Sequence, residues 1–197
     1  MSLRLIALDC PACGSAMRGD PSDVIFFCGH CGSAALLGHD ALEPVASTAL
    51  LPAPGCHARV WKPAWLLEAE VSVKGRQRAG GGRGDGWSGE RTFVVPAFPL
   101  PLPDLVLLSR ALSEAAGTVG EVPREPIRGG TLPFEDAVTL ARYVVVGDEV
   151  RKADKLASLD VNITEKGHRL AATPFEDAGD GRLRCAITNV VVRPATD

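Results

Sequence analysis

Residues 10–14 read Cys-Pro-Ala-Cys-Gly and residues 28–32 read Cys-Gly-His-Cys-Gly, so the chain carries two Cys-x-x-Cys pairs close together. Two thiolates three positions apart in a tight turn present both sulfurs to one ion, and two such turns facing each other complete a tetrahedral shell. The glycine after each pair permits a positive φ, which lets backbone N–H groups point back at the sulfurs. We therefore predict one metal site formed by Cys10, Cys13, Cys28 and Cys31.

Residues 8–37 resemble a zinc ribbon of the rubredoxin and transcription-factor type, in which two cysteine knuckles lie at the tips of short β-hairpins. The resemblance implies a small β fold organised by one structural zinc ion (Zn²⁺). It implies no particular function, because zinc ribbons serve transcription, translation, replication and membrane-complex assembly alike. A shell of four thiolates leaves no open coordination position, so we expect the ion to stabilise the fold and not to activate a nucleophile.

The same cysteines leave two redox alternatives open. Iron in the four-thiolate shell would make a one-electron carrier of the rubredoxin kind. Residues 28–31 also match the dithiol motif of disulfide isomerases, in which the intervening histidine helps to lower the pKa of the first thiol. That motif belongs at the start of a helix in a thioredoxin-like unit, whereas we expect short strands around this one. A thiol- or iron-based redox protein is therefore the second alternative.

Composition and charge restrict the class of protein. The chain of 197 residues is 46% hydrophobic and 23% charged, which is typical of one ordinary folded domain with a small metal-stabilised one. The formal net charge of -3 argues against attraction to nucleic acid or an anionic membrane through total charge. We expect no membrane span and no secretory signal, and the reduced thiols that the metal site needs favour the cytoplasm.

The pattern along the chain predicts an α+β fold in three parts. These are a four-cysteine zinc ribbon over residues 1–42, a Pro-rich connector over residues 43–63, and a mostly antiparallel α+β domain with two main helices over residues 64–197. Apolar residues alternate with polar ones over residues 65–73 and again over residues 91–98, so these two segments should pair as antiparallel strands.

Further elements follow from periodicity and turn residues. The predicted elements are helices at residues 103–117 and 133–146 and strands at residues 159–163 and 183–187, the second strand following an Asp180-Gly181 turn. The pentapeptide Pro-Phe-Glu-Asp-Ala occurs at residues 133–137 and at residues 174–178. It indicates either a duplicated unit or coincidence in a chain rich in proline and alanine.

Lysine and arginine residues are clustered in residues 74–91. Their positive side chains could follow a phosphate backbone while the tryptophan stacks on a base. The glycines of this segment favour the other interpretation, a flexible and solvated hairpin tip. The residues that a nucleic acid would contact are Lys74, Arg76, Arg78, Arg83, Trp87 and Arg91.

The sequence carries no nucleophile elbow, phosphate-binding loop or dinucleotide fingerprint, so we predict no catalytic residue and no enzyme. We expect a non-enzymatic zinc-ribbon protein that serves as a protein-interaction or assembly module, with a protein partner in a larger complex. Nucleic-acid binding through residues 74–91 is the first alternative. The apolar residues expected at the contact surface are Leu36, Leu37, Leu50, Leu51, Trp61 and Trp65.

Overall fold

The computed structural model describes residues 6–115, 117–152 and 155–195. Two helices and mostly antiparallel strands confirm the predicted α+β class. In chain order the elements are β1 (Ile25–Phe27), β2 (Ala34–Leu37), β3 (Leu42–Val45), β4 (Ser47–Leu50), β5 (Val60–Arg78), β6 (Trp87–Pro96), α1 (Leu102–Glu114), β7 (Val119–Gly120), α2 (Phe134–Val150), β8 (Leu156–Gly179), β9 (Arg182–Cys185) and β10 (Val191–Val192).

Strands β1, β2 and β3 form a small antiparallel sheet, and the remaining strands form a larger one around β8. One edge of β8 pairs antiparallel with most of β5, whose other edge pairs with β6 as predicted. The other edge of β8 pairs parallel with β4 and, further along, antiparallel with β9. Asp180 and Gly181, with φ of 54° and 69°, form the predicted turn between β8 and β9.

The alternation in β5 places its side chains in two apolar clusters. Trp65 and Leu67 lie in one cluster with the inner face of α2, whereas Leu66 lies in the other with Leu108 of α1. Both helices begin next to proline and carry acidic residues in the first turn, where the helix dipole favours negative charge. Within the described ranges, neither helix is long and apolar enough to cross a membrane.

Strand β1 joins the small sheet to the large one. The amides of Val24 and Ile25 both donate to the carbonyl oxygen of Gly130, at 2.7 and 2.9 Å. Ile25 and Phe27 are buried in the same apolar cluster as Trp65. A Cβ atom on Gly130 would lie 2.5 Å from the Cβ of Ile25 and 2.7 Å from its carbonyl oxygen, so this close approach requires glycine. The small sheet is therefore hydrogen-bonded to the segment before α2 and packs in the same apolar cluster as the larger sheet.

The Pro-rich segment that was predicted as a connector contains β-strands. Residues 43–63, predicted as a Pro-rich connector, contain most of β3, all of β4 and the start of β5. Pro63 lies within β5, where its carbonyl accepts the amide of Ala97 at 2.9 Å. The division into a ribbon, a connector and a second domain stays a prediction, and residues 1–5 and 196–197 of those parts lie outside the described residues.

The repeated pentapeptide has two conformations. Residues 133–137 form the start of α2, whereas residues 174–178 lie in β8. The interpretation as a duplicated structural unit is therefore wrong. Residues 174–178 are held as a strand because β8 pairs there with both β5 and β9.

Candidate metal centre

The four predicted cysteines meet at one point between the two knuckles. The Sγ atoms of Cys10 and Cys31 lie 3.7 Å apart, as do those of Cys13 and Cys28, and all four lie within 4.8 Å of one another. Tetrahedral coordination with metal–sulfur bonds of about 2.3 Å gives sulfur–sulfur distances of about 3.8 Å, whereas a disulfide bond is about 2.05 Å long. The cluster therefore fits one tetrahedral ion. Zinc and iron share this ligand set.

The two knuckles have the same backbone geometry. In each, the amide of the first cysteine donates to the carbonyl of the serine five residues later, at 2.9 Å in the first knuckle and 2.8 Å in the second. The amide of the glycine after the pair donates to the carbonyl of the first cysteine at 2.8 Å. Gly14 and Gly32 have φ of 72° and 80°, the positive values expected from the sequence.

The cluster lies at the boundary between a small core and the surface. Cys10 and Cys28 are buried, whereas Cys13 and Cys31 are exposed. The two buried cysteines pack with Phe26, Ala35 and Leu42, which form a separate small apolar cluster in the first part of the chain. An ion held here would link this small core to the exposed knuckle tips.

Ser33 lies against the sulfur cluster and was not among the residues predicted from the sequence. Its Oγ atom lies 3.1 Å from Sγ of Cys10 and 3.0 Å from Sγ of Cys31. A hydroxyl group donates to a thiolate and so stabilises the form of cysteine that binds metal. The sequence did contain a signal, because Gly-Ser follows each cysteine pair. Among the described residues, the equivalent Ser15 makes no side-chain hydrogen bond, so only the structure separates the two serines.

The local environment gives the cysteines different pKa values. Burial raises the pKa of Cys28 to about 11. Burial also acts to raise the pKa of Cys10, but hydrogen bonds from Ser33 and from the backbone at residues 12 and 13 outweigh it and lower that pKa to about 6. The Ser33 hydrogen bond also lowers the pKa of Cys31. At neutral pH metal binding therefore has to displace a proton from Cys28.

Three of the six residues predicted to contact nucleic acid instead face the end of α2. Arg76 is 5% exposed, and its Nε donates to Oε2 of Glu149 at 2.9 Å. The indole Nε1 of Trp87 donates to Oε1 of the same carboxylate at 2.8 Å, and Arg91 pairs with Asp148 at 3.2 Å. Arg76 is therefore buried and not on a solvated hairpin tip as expected. The remaining residues of the predicted set, which are exposed, are Lys74, Arg78 and Arg83.

This arrangement has an electrostatic cause. Glu149 and Asp148 lie in the last turn of α2, where the helix dipole disfavours negative charge, so cationic partners from the β5–β6 hairpin compensate for them. Burial alone would raise the pKa of Glu149, but hydrogen bonds from Lys152, Trp87 and Arg76 lower it below its ordinary value.

The apolar surface expected near the connector is only partly exposed. Trp65 and Leu50 are buried, at 0% and 2% exposure, because they belong to inner positions of β5 and β4. Leu37 and Leu51 are exposed, at 42% and 40%. Two leucines are too small a patch to define a docking surface by themselves.

Within the described residues, the four cysteines are the one group of three or more histidine, cysteine or acidic residues close enough to share an ion. No family model matches the chain, and no curated protein or solved structure is significantly similar to it.

Proposed function

We propose that the four cysteines bind one structural zinc ion and that the protein is a non-enzymatic zinc-ribbon protein. The observation that carries this proposal is the cluster of four sulfurs at tetrahedral spacing. Four thiolates fill the coordination shell of zinc, so substrate and water have no position on the metal. Zinc is redox-inert, which suits an ion whose role is to hold two knuckles together.

The protein acts as an interaction or assembly module in the cytoplasm. Two features support this role. The small sheet is hydrogen-bonded to Gly130 before α2 and shares an apolar cluster with the large sheet. The knuckle tips, including Gly29 and His30, are exposed. A metal-fixed tip on a rigid base loses little conformational freedom when a protein partner binds. A reducing compartment keeps the four thiols available for the ion.

Elemental analysis of the purified full-length protein tests the metal. We expect one zinc per chain in the wild type and its loss in Cys10→Ser and Cys28→Ser. Cys56→Ser is the matched control, because Cys56 lies outside the sulfur cluster and should leave the zinc content unchanged. Iron in a coloured protein would instead support electron transfer, and a metal-free protein with a reversible disulfide between Cys28 and Cys31 would support the thiol redox alternative.

Affinity purification from the native organism, followed by crosslinking and mass spectrometry, tests the role. We expect a protein partner crosslinked to the ribbon of the wild type and lost from the zinc-free Cys10→Ser variant, while Cys56→Ser retains it. Salt-dependent retention on single-stranded DNA or RNA, abolished by neutralising the exposed Arg78 and Arg83, would favour the nucleic-acid alternative instead.

A further inference from the structure

A cleft of about 360 Å³ lies beside the second knuckle. One wall belongs to the ribbon and includes residues 16–18, Phe27 and residues 29–30, and the other wall is the segment 124–128 that precedes α2. Phe27, Met17 and Ile127 are buried and give the cleft an apolar floor. Its volume lies within the range of about 300–1,000 Å³ that is typical of small-molecule sites.

The charged residues of this cleft are mostly arginines. Arg18, Arg124 and Arg128 all line it, and Glu125 is the acidic residue among the lining residues. Among the described residues, none of the three guanidinium groups has an ion pair or a side-chain hydrogen bond. The cleft therefore carries a formal charge of about +2, although the whole chain carries -3. Within the part of the chain that the structure describes, no ion pair neutralises these guanidinium groups.

The positive charge of the cleft is separate from the basic segment 74–91. Ile127 forms a bridge with Trp61 near the start of β5, whereas the basic segment 74–91 begins near the other end of that strand. At about 3.3 Å per residue, Lys74 lies roughly 40 Å from Trp61 along the strand. A compact anion fits this distribution better than an extended phosphate backbone, which would need a continuous positive track.

We propose that this cleft binds the phosphomonoester group of a small phosphorylated ligand, with the organic part of the ligand on the apolar floor. A phosphomonoester carries a charge of about −1.5 to −2 at neutral pH, which matches the charge of the lining. The planar guanidinium group offers paired N–H donors to phosphate oxygens, and three such groups surround one small volume. Because one wall belongs to the ribbon, the proposal rests on the ribbon fold and not on the identity or presence of the ion.

Isothermal titration calorimetry of the full-length protein as purified tests this site. The probes are adenosine 5′-monophosphate, inorganic phosphate, a phosphoserine peptide, and adenosine as the control without phosphate. We expect the monophosphate to bind at least tenfold more tightly than adenosine. Arg18→Gln and Arg124→Gln should each weaken that binding at least tenfold. Arg142→Gln is the matched control, because Arg142 is an exposed arginine outside the cleft and should leave binding unchanged.

The outcomes separate this proposal from the metal proposal. Tighter binding of the phosphoserine peptide, with the same loss in Arg18→Gln and Arg124→Gln, would support the phosphomonoester site and assign its source to a protein. Binding of no phosphate probe, or binding that both variants retain, would overturn it. Zinc content is measured on the same samples: phosphate binding without zinc overturns only the metal proposal, and zinc without phosphate binding overturns only this one.

Discussion

Replacing Ser33 by alanine should weaken metal binding by about 10- to 100-fold, which corresponds to about 1.4–2.8 kcal/mol. The hydroxyl group lies 3.1 Å from Sγ of Cys10 and 3.0 Å from Sγ of Cys31 and can donate its one hydrogen to either. A hydrogen bond to a charged group contributes about 1.5–3 kcal/mol, so the expected loss matches the removal of one such bond. The pKa of Cys10, now about 6, should also rise, so that protons compete more strongly with metal near neutral pH.

Competition with a chromophoric chelator measures this effect on zinc-loaded protein. Ser15→Ala is the matched control, because Ser15 occupies the same position in the first knuckle without a side-chain hydrogen bond among the described residues. Ser15→Ala should change the metal affinity by less than about twofold, since it removes only a half-buried hydroxyl group. Equal affinities of the two variants would refute the proposed stabilisation of the thiolates by the Ser33 hydroxyl group.

Replacing Gly130 by alanine should lower the free energy of unfolding in urea by about 1–3 kcal/mol, because the new Cβ would overlap the backbone of β1. Gly147 in α2 has open space around it, so Gly147→Ala should instead raise the free energy of unfolding by up to about 1 kcal/mol. A lower free energy of unfolding in both variants would contradict the need for glycine at the contact with β1. Glu149→Ala removes the carboxylate that the buried Arg76 contacts and should cost about 3–5 kcal/mol. Asp148→Ala, in a partly exposed pair, should cost at most about 1 kcal/mol, and equal costs would show that burial does not decide the effect. Because the pKa of Glu149 is lowered from 4.5, its contribution to stability should be complete above pH 4.5 and lost as the pH falls through the lowered value. Chemical denaturation at several pH values should show that Glu149→Gln reduces this acid dependence, and an unchanged dependence would exclude Glu149 as its source.

The sequence was sufficient to predict the parts of the fold that depend on local patterns. The two knuckles follow from cysteine and glycine spacing, and the β5–β6 pair follows from alternation around Trp65 and Phe93. Both helices begin where proline and acidic residues indicate, although α2 continues to Val150. These signals are local, so one sequence is enough to detect them.

The sequence did not predict the parts that depend on distant partners. Residues 133–137 and 174–178 are identical, yet one segment is helical because α2 covers the sheet and the other is extended because β5 and β9 pair with it. The sequence also did not predict the cleft, since Arg18 and Arg124 line one cleft only because β1 is held at Gly130. Likewise, the burial of Arg76 depends on the position of Glu149, far along the chain. Tertiary pairing decides such cases.

The shared apolar cluster beneath β1 has a thermodynamic consequence. Ile25, Phe27 and Ala34 from the small sheet lie in the same apolar cluster as Trp65, so neither sheet can unfold without exposing apolar surface of the other. Scanning calorimetry of the metal-loaded chain should therefore record a single endotherm. Stripping the ion with a chelator should move that whole endotherm to lower temperature and not split off a separate low-temperature peak.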